Sequence, residues 1–237
     1  MKKIFITFGD GSQDFRNASN RLYNQALNTK VFDECYGYTS EYLESLTDFW
    51  TLHEKFIKNN KRGYGYMIWK PYIILKQLEK MEENDILFYA DAGCIITNDY
   101  IHNINIAIDY MINNDNIISQ MNHITVLEIS WNKNDLIKYL NLENNEKVLL
   151  SPQLETNELL FKKTDKIYNF VKKWYEIMCN YHLINDNPSI TTNDSTFKEH
   201  RHDQSVFSLL KKMTFEPTPF DYNIPQKIIN VARYRRG

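Results

Sequence analysis

The 237-residue chain is 43% hydrophobic and 14% aromatic, enough to bury a sizeable core in one large domain. Its formal net charge of −2 excludes the bulk attraction that carries nucleic-acid binding, and no stretch approaches the roughly 20 apolar residues of a membrane span. Cys35, Cys94 and Cys179 are odd in number and widely spaced, fitting neither a disulfide framework nor a zinc knuckle; with an opening apolar run too short for a signal peptide, they predict a cytoplasmic protein.

Residues 2–8, KKIFITF, predict a first strand, and GDGSQD turns into a helix over 15–28 with Leu22, Ala26 and Leu27 on one stripe. VFDECYGYTS (31–40) predicts a second short strand, followed by helices from about Glu41 and around Leu52 to Lys58. Because Pro71 is tolerated only in a first helical turn, the next helix starts near Trp69 or Lys70 and runs to about Met81. Asp85 then opens the run Ile86, Leu87, Phe88, Tyr89, the continuous apolar signature of a strand covered on both faces. A helix at about 99–113 and a strand near 117–121 continue the alternation. Residues 149–161 read as extended, 165–182 as an amphipathic helix on Ile167, Phe170, Val171, Trp174 and Ile177, and NDNPSITTND as a loop. The last helix lies on Val206, Leu209 and Leu210, with Asp203 in or just before its first turn. The chain carries no repeat and no linker.

Two features single out residues for chemistry. Asp91 sits at the carboxyl end of the third strand, where open α/β sheets bind ligands; as a residue of the sequence DAG it serves equally well in a plain turn. All glycines before the last residue lie between Gly9 and Gly93, so backbone freedom is concentrated in the first part of the chain. Neither GxGxxG nor GxxxxGK[ST] occurs, which excludes a P-loop kinase or a dehydrogenase with the dinucleotide fingerprint. His200 and His202 form an H-x-H beside Asp203, either a metal ligand with a base or surface polarity.

The order IFITF, RGYGYMIWKPYIILKQL, NDILFYADAGCII and HRHDQSVFSLL, spread over roughly residues 2–215, resembles nucleotide-sugar-dependent glycosyltransferases of the GT-A fold, in particular small viral and bacterial surface-polysaccharide members. The resemblance implies a single GT-A-like (Rossmann-like) α/β domain with a mostly parallel central sheet flanked by helices. About 1–121 would form the nucleotide-sugar-binding half, and about 122–237 the acceptor-side half with a basic tail. Asp91 matches the first Asp of that family's D-x-D motif, which holds a divalent cation, Mn²⁺ or Mg²⁺, against the donor diphosphate. Gly93 replaces the second, giving D-x-G with Ala92 between. His202 is the second candidate metal ligand. Lys70 would face the nucleotide or its diphosphate, and Phe8, Gly9 and Asp10 the base. Tyr66 and Trp69 would line the donor or pack in the core, and Arg233 of the tail would fold back on the diphosphate. Asp203 would be the general base of an inverting enzyme, or else a helix cap, with Glu155 and Glu158 as the alternative bases. The implied activity is hexosyl or pentosyl transfer from a nucleotide-diphosphate sugar to a glycan, lipid-linked or protein hydroxyl, in surface-glycan or polysaccharide synthesis. A non-catalytic nucleotide-sugar-binding module and a sugar nucleotidyltransferase are the alternatives. The nucleotidyltransferase wants a basic Gly-rich loop after the first strand, where GDGSQDF is followed by Arg16 alone.

Overall fold

The computed structural model describes residues 1–215, 225 and 227–231. Five strands, β1 (Lys3–Phe8), β2 (Glu34–Tyr38), β3 (Ile86–Ala90), β4 (Ile117–Met121) and β5 (Leu154–Lys162), form one sheet in the order β2-β1-β3-β5-β4. β1 pairs parallel with both β2 and β3, whereas β5 runs antiparallel to β3 and to β4, so all strands but β5 point the same way. The sheet is therefore mostly parallel, as its strand–helix alternation predicts.

Alternating side chains give the sheet two cores. Ile4, Ile6, Leu87, Tyr89, Leu159 and Phe161 face the helices Thr47–Asn59, Trp69–Lys80, Asp165–Met178 and Asp203–Thr214. Phe5, Phe88, Ala90 and Leu160 face the helices Gln13–Thr29 and Ile101–Asn113, together with Ile228 and Ile229. Every residue of β3 is buried, which is what its unbroken apolar run requires. Among the described residues no helix is long and apolar enough to cross a membrane.

Three parts depart from the expected elements. The extended passage expected from 149 starts at Leu154, because Glu128–Trp131, Asn134–Tyr139 and Glu146–Leu149 form short helices packed ahead of β5. The helix expected to reach 182 ends at Met178, and Tyr181–Leu183 make a separate 3₁₀ turn. Before Trp69, the backbone takes a left-handed turn with φ of 56°, 52°, 81°, 54° and 58° at Gly63, Tyr64, Gly65, Tyr66 and Met67. Its Tyr66 and Met67 amides donate to the Arg62 and Gly63 carbonyls, a helical bonding pattern of the opposite hand. At the non-glycine positions this hand costs about 1–2 kcal/mol per residue. A Cβ at Gly65 would lie 2.7 Å from Ile57 Cγ1, so packing as well as φ demands glycine there.

Candidate active site

The site forms where β3 ends. Tyr89 and Asp91 are two residues apart and turn to the same side of the sheet, while Ala90 turns into the other core. The chain then closes a short turn: Asp91 N–H donates to the Asn157 carbonyl at 2.8 Å, and Cys94 N–H donates to the Asp91 carbonyl at 2.9 Å. Arg21 Nη2 reaches across from the first helix to the carbonyls of Ala92 and Cys94, both at 2.9 Å, and fixes the turn's outline.

Three elements converge on Asp91. The helix Trp69–Lys80 has Pro71 in its first turn, where the missing N–H leaves no helical bond unmade, and delivers Lys70 to the end of the sheet. Lys70 Nζ lies 2.7 Å from Asp203 Oδ2 and 3.1 Å from Asp91 Oδ1, and also donates to Thr156 Oγ1 at 3.3 Å. Asp203 opens the helix Asp203–Thr214 after His202, whose backbone is held at φ 52° and ψ −116°. Its carboxylate does not cap that helix; Oδ2 takes Lys70 and a 2.9 Å hydrogen bond from the Thr156 hydroxyl. Thr156 reaches it because the β4–β5 ladder slips: Ser119 pairs with Leu159 and Met121 with Leu154, so a two-residue step on β4 matches five residues on β5. This bulge re-aims β5, sending Thr156 to Lys70 and Glu158 to Ile229.

The Lys70 and Asp203 side chains are 3% and 2% exposed, whereas that of Asp91 is 36% exposed, so Asp91 is the member of the cluster that meets solvent. Burial alone would lower the Lys70 pKa, but Asp203 and then Asp91 outweigh it and hold the ammonium above its usual value. The protein packed around Asp91 raises its carboxyl pKa; Lys70 and the Tyr89 hydroxyl pull it down, Asp203 pushes it up, and the net direction is up despite the exposed edge. One ammonium against two carboxylates leaves a net negative cluster whose cation is already engaged. A diphosphate approaching it needs a cation of its own. Asp91 suits one, since its Oδ2 has no hydrogen-bond partner among the described residues, and small divalent ions are commonly held by one or two carboxylates plus substrate phosphates. No group of three or more His, Cys, Asp or Glu side chains among the described residues forms a ready-made site. His202 does not join Asp91. Its Nδ1 is engaged with the Ile184 carbonyl at 2.7 Å, its Nε2 lies 3.8 Å from Asp186 Oδ1, and its ring packs on Tyr66.

The other expected residues scatter. Phe8 and Trp69 are buried and stacked on each other at 4.0 Å, with Trp69 Nε1 donating to the Gly63 carbonyl at 3.0 Å; Tyr66 is buried against His202. All three are core packing. At Gly9 the close neighbour is protein: a Cβ would lie 2.2 Å from the Phe15 carbonyl oxygen. Asp10 has both oxygens occupied, accepting from Gly11 N, Ser40 N and the Arg16 guanidinium, and so staples the loop after β1. Ala92 is buried and Gly93 lies in the turn. Glu155 is half-buried and accepts from Asn157 Nδ2 at 2.9 Å, which ties it to the strand end that holds Asp91. Glu158 is buried in the second core, where Gln120 Nε2 and, at 3.2 Å, Ile229 N–H donate to it; burial raises its pKa to about 8. Arg233, Arg235 and Arg236 lie outside the described residues. Sequence reasoning missed Tyr89, Thr156 and Arg21. Strand alternation places Tyr89 on the Asp91 side and could have found it; a bulge and a helix-to-loop contact carry no sequence signal for the other two.

No protein-family model matches the chain, and no curated protein does. Among solved structures, the crystal structure of mouse xyloside xylosyltransferase 1 in its apo form is similar at 11% identity, covering 90% of this chain and 82% of that one with a TM-score of 0.45. A likeness this slight carries no argument about what the chain does.

Proposed function

We propose that the protein is a glycosyltransferase that moves a sugar from a nucleotide-diphosphate donor to a hydroxyl of a glycan, lipid-linked or protein acceptor, in surface-glycan or polysaccharide synthesis. The observation that supports this best is the buried Lys70 ammonium bridging Asp91 and Asp203 at the carboxyl end of β3, with Asp91 alone open to solvent. Lys70 and Asp91 come from the first half of the chain, Thr156 and Asp203 from the second, so donor and acceptor would meet where the halves join.

Each residue has a role that its contacts allow. Asp91 presents a carboxylate oxygen to the donor diphosphate and would hold Mn²⁺ or Mg²⁺ there, whose chemistry is to neutralise the charge of the departing nucleotide. Lys70 fixes the Asp91 carboxylate and partly offsets the negative charge of the cluster beside the leaving group. Asp203 orients Lys70; buried and bonded to both Lys70 and Thr156, it is poorly placed to take a proton from an acceptor hydroxyl. If the enzyme inverts, Glu155 is the carboxylate left for that task, since Glu158 faces the second core. Nucleotidyl transfer is disfavoured because Arg16, the basic residue after β1, is bound to Asp10 and Glu41. The test is to incubate the protein with UDP- and GDP-sugars, with and without Mn²⁺, and measure slow release of free sugar. Release dependent on Lys70 and Asp91 supports transfer, and binding without release supports a binding module.

A further inference from the structure

Tyr89 is fully buried on β3, and its two ends serve different partners. Its hydroxyl donates to Asp91 Oδ1, and its ring face lies 5.4 Å from Lys70 Nζ. Asp91 Oδ1 therefore receives two donors, the phenol from β3 and the ammonium from the helix Trp69–Lys80, while Oδ2 receives none among the described residues. A carboxylate free to rotate would expose either oxygen, in any orientation. Held by two donors at one oxygen, it can turn only the other outward, and the 36% of its surface that is exposed belongs to a group of fixed orientation.

We propose that Tyr89 is a positioning residue: its phenol pins Oδ1 of Asp91 against Lys70, so that the carboxylate presents Oδ2 alone to the ligand. For the ligand's identity this rests on the nucleotide-sugar reading; the hold on Asp91 does not. The groups around Asp91 are Lys70 from its helix, Asp203 from the helix Asp203–Thr214, Cys94 from the following turn and the Asn157 carbonyl of β5. Lys70 and the Tyr89 phenol are the two donors to Oδ1, whereas Asp203 is a like charge nearby. Loss of the phenol removes one of two supports, and a hydrogen bond to a charged group is one of the stronger kind.

The experiment reads the orientation of the Asp91 carboxylate directly. In crystal structures of the free proteins, the wild type keeps Oδ1 on Tyr89 and Lys70 with Oδ2 outward, whereas in Tyr89→Phe, which keeps the ring and its contact with Lys70, the carboxylate turns or takes more than one orientation. Affinity for UDP in the presence of Mn²⁺ falls in that variant by about threefold to thirtyfold, and affinity for UDP alone does not. A purely structural tyrosine would lower melting temperature and leave the carboxylate in place, and an unmoved carboxylate in folded Tyr89→Phe overturns the proposal. Should that variant fail to fold, a ring-fluorinated tyrosine in place of Tyr89 is the second test. A more acidic phenol is a stronger donor, so Oδ1 stays on it and affinity for UDP with Mn²⁺ is kept or raised, and a carboxylate turned off the phenol overturns the proposal equally. A carboxylate that turns as expected in Tyr89→Phe while neither protein binds UDP with Mn²⁺ overturns the nucleotide-sugar reading and upholds the hold of Tyr89 on Asp91.

Discussion

Replacing Lys70 by Met removes the one ammonium bonded to Asp91 and Asp203 among the described residues and retains most of the side-chain volume. At an effective dielectric of about 20, the 2.7 Å contact with Asp203 and the 3.1 Å contact with Asp91 each represent roughly 5–6 kcal/mol of gross Coulomb attraction. Desolvation of the three groups offsets much of this, and Asp91 is partly screened by solvent. The net cost of stranding a buried charge is about 3–5 kcal/mol, which for a chain of this size lowers the melting temperature by about 10 °C. The cost depends on pH with a definite sign. Lys70 has a raised pKa, so in the wild type its contribution is fully present below the usual lysine value and is lost only in strong alkali. In Lys70→Met, Asp91 loses its counter-ion and binds a proton more tightly, so the penalty is smaller at about pH 4 than at about pH 7. Denaturant unfolding of both proteins at these two pH values measures it. Adding Asp203→Asn to Lys70→Met should restore part of the loss, because the uncompensated charge goes with it. Equal losses at both pH values, or no recovery in the double variant, would refute the idea that Lys70 is held by charge.

Three further outcomes follow from the geometry. Asp203→Asn should lower melting temperature as well as sugar-transfer rate, since it weakens the hold on Lys70; near-normal stability with slow turnover would instead mark Asp203 as a base. Glu158→Gln should flatten the pH dependence of stability. The carboxyl pKa is raised to about 8, so wild-type stability is greatest below the ordinary glutamate value and declines by up to about 1.4 kcal/mol per pH unit as pH rises towards 8, a slope that unfolding of the variant across this range should lack. Gly9→Ala should destabilise by about 2 kcal/mol or more, because its Cβ would sit 2.2 Å from the Phe15 carbonyl oxygen and 2.4 Å from Ser19 Cβ; a melting temperature within a degree or so of wild type would contradict this steric account.

The sheet was legible because burial leaves a pattern in sequence. The unbroken Ile86–Tyr89 run is a strand covered on both faces, and Pro71 marks the start of the helix that carries Lys70. Asp91 is singled out by its place at the end of β3, Lys70 and Asp203 chiefly by the resemblance to glycosyltransferases, and the structure brings these three together. What they do to one another was not legible, because the choice between cap, base and ion pair for Asp203 depends on which side chain arrives from position 70, 133 residues earlier. Phe8, Tyr66 and Trp69 illustrate the same limit: an aromatic cluster reads alike whether it lines a ligand or packs a core, and here it packs. The β5 bulge that separates Thr156 from Glu158 is a matter of register between strands, and no local pattern in LETNELLF encodes it.

The central claim, that Asp91 at the end of β3 receives a nucleoside diphosphate together with a divalent cation, is tested most directly by calorimetry of UDP and GDP binding to wild type and Asp91→Asn, each with and without Mn²⁺. The account predicts that Mn²⁺ strengthens binding to the wild type and that Asp91→Asn removes this gain, a loss of about tenfold or more in the metal-containing arm. Identical metal dependence in both proteins, or no binding of either nucleotide under any condition, would contradict it.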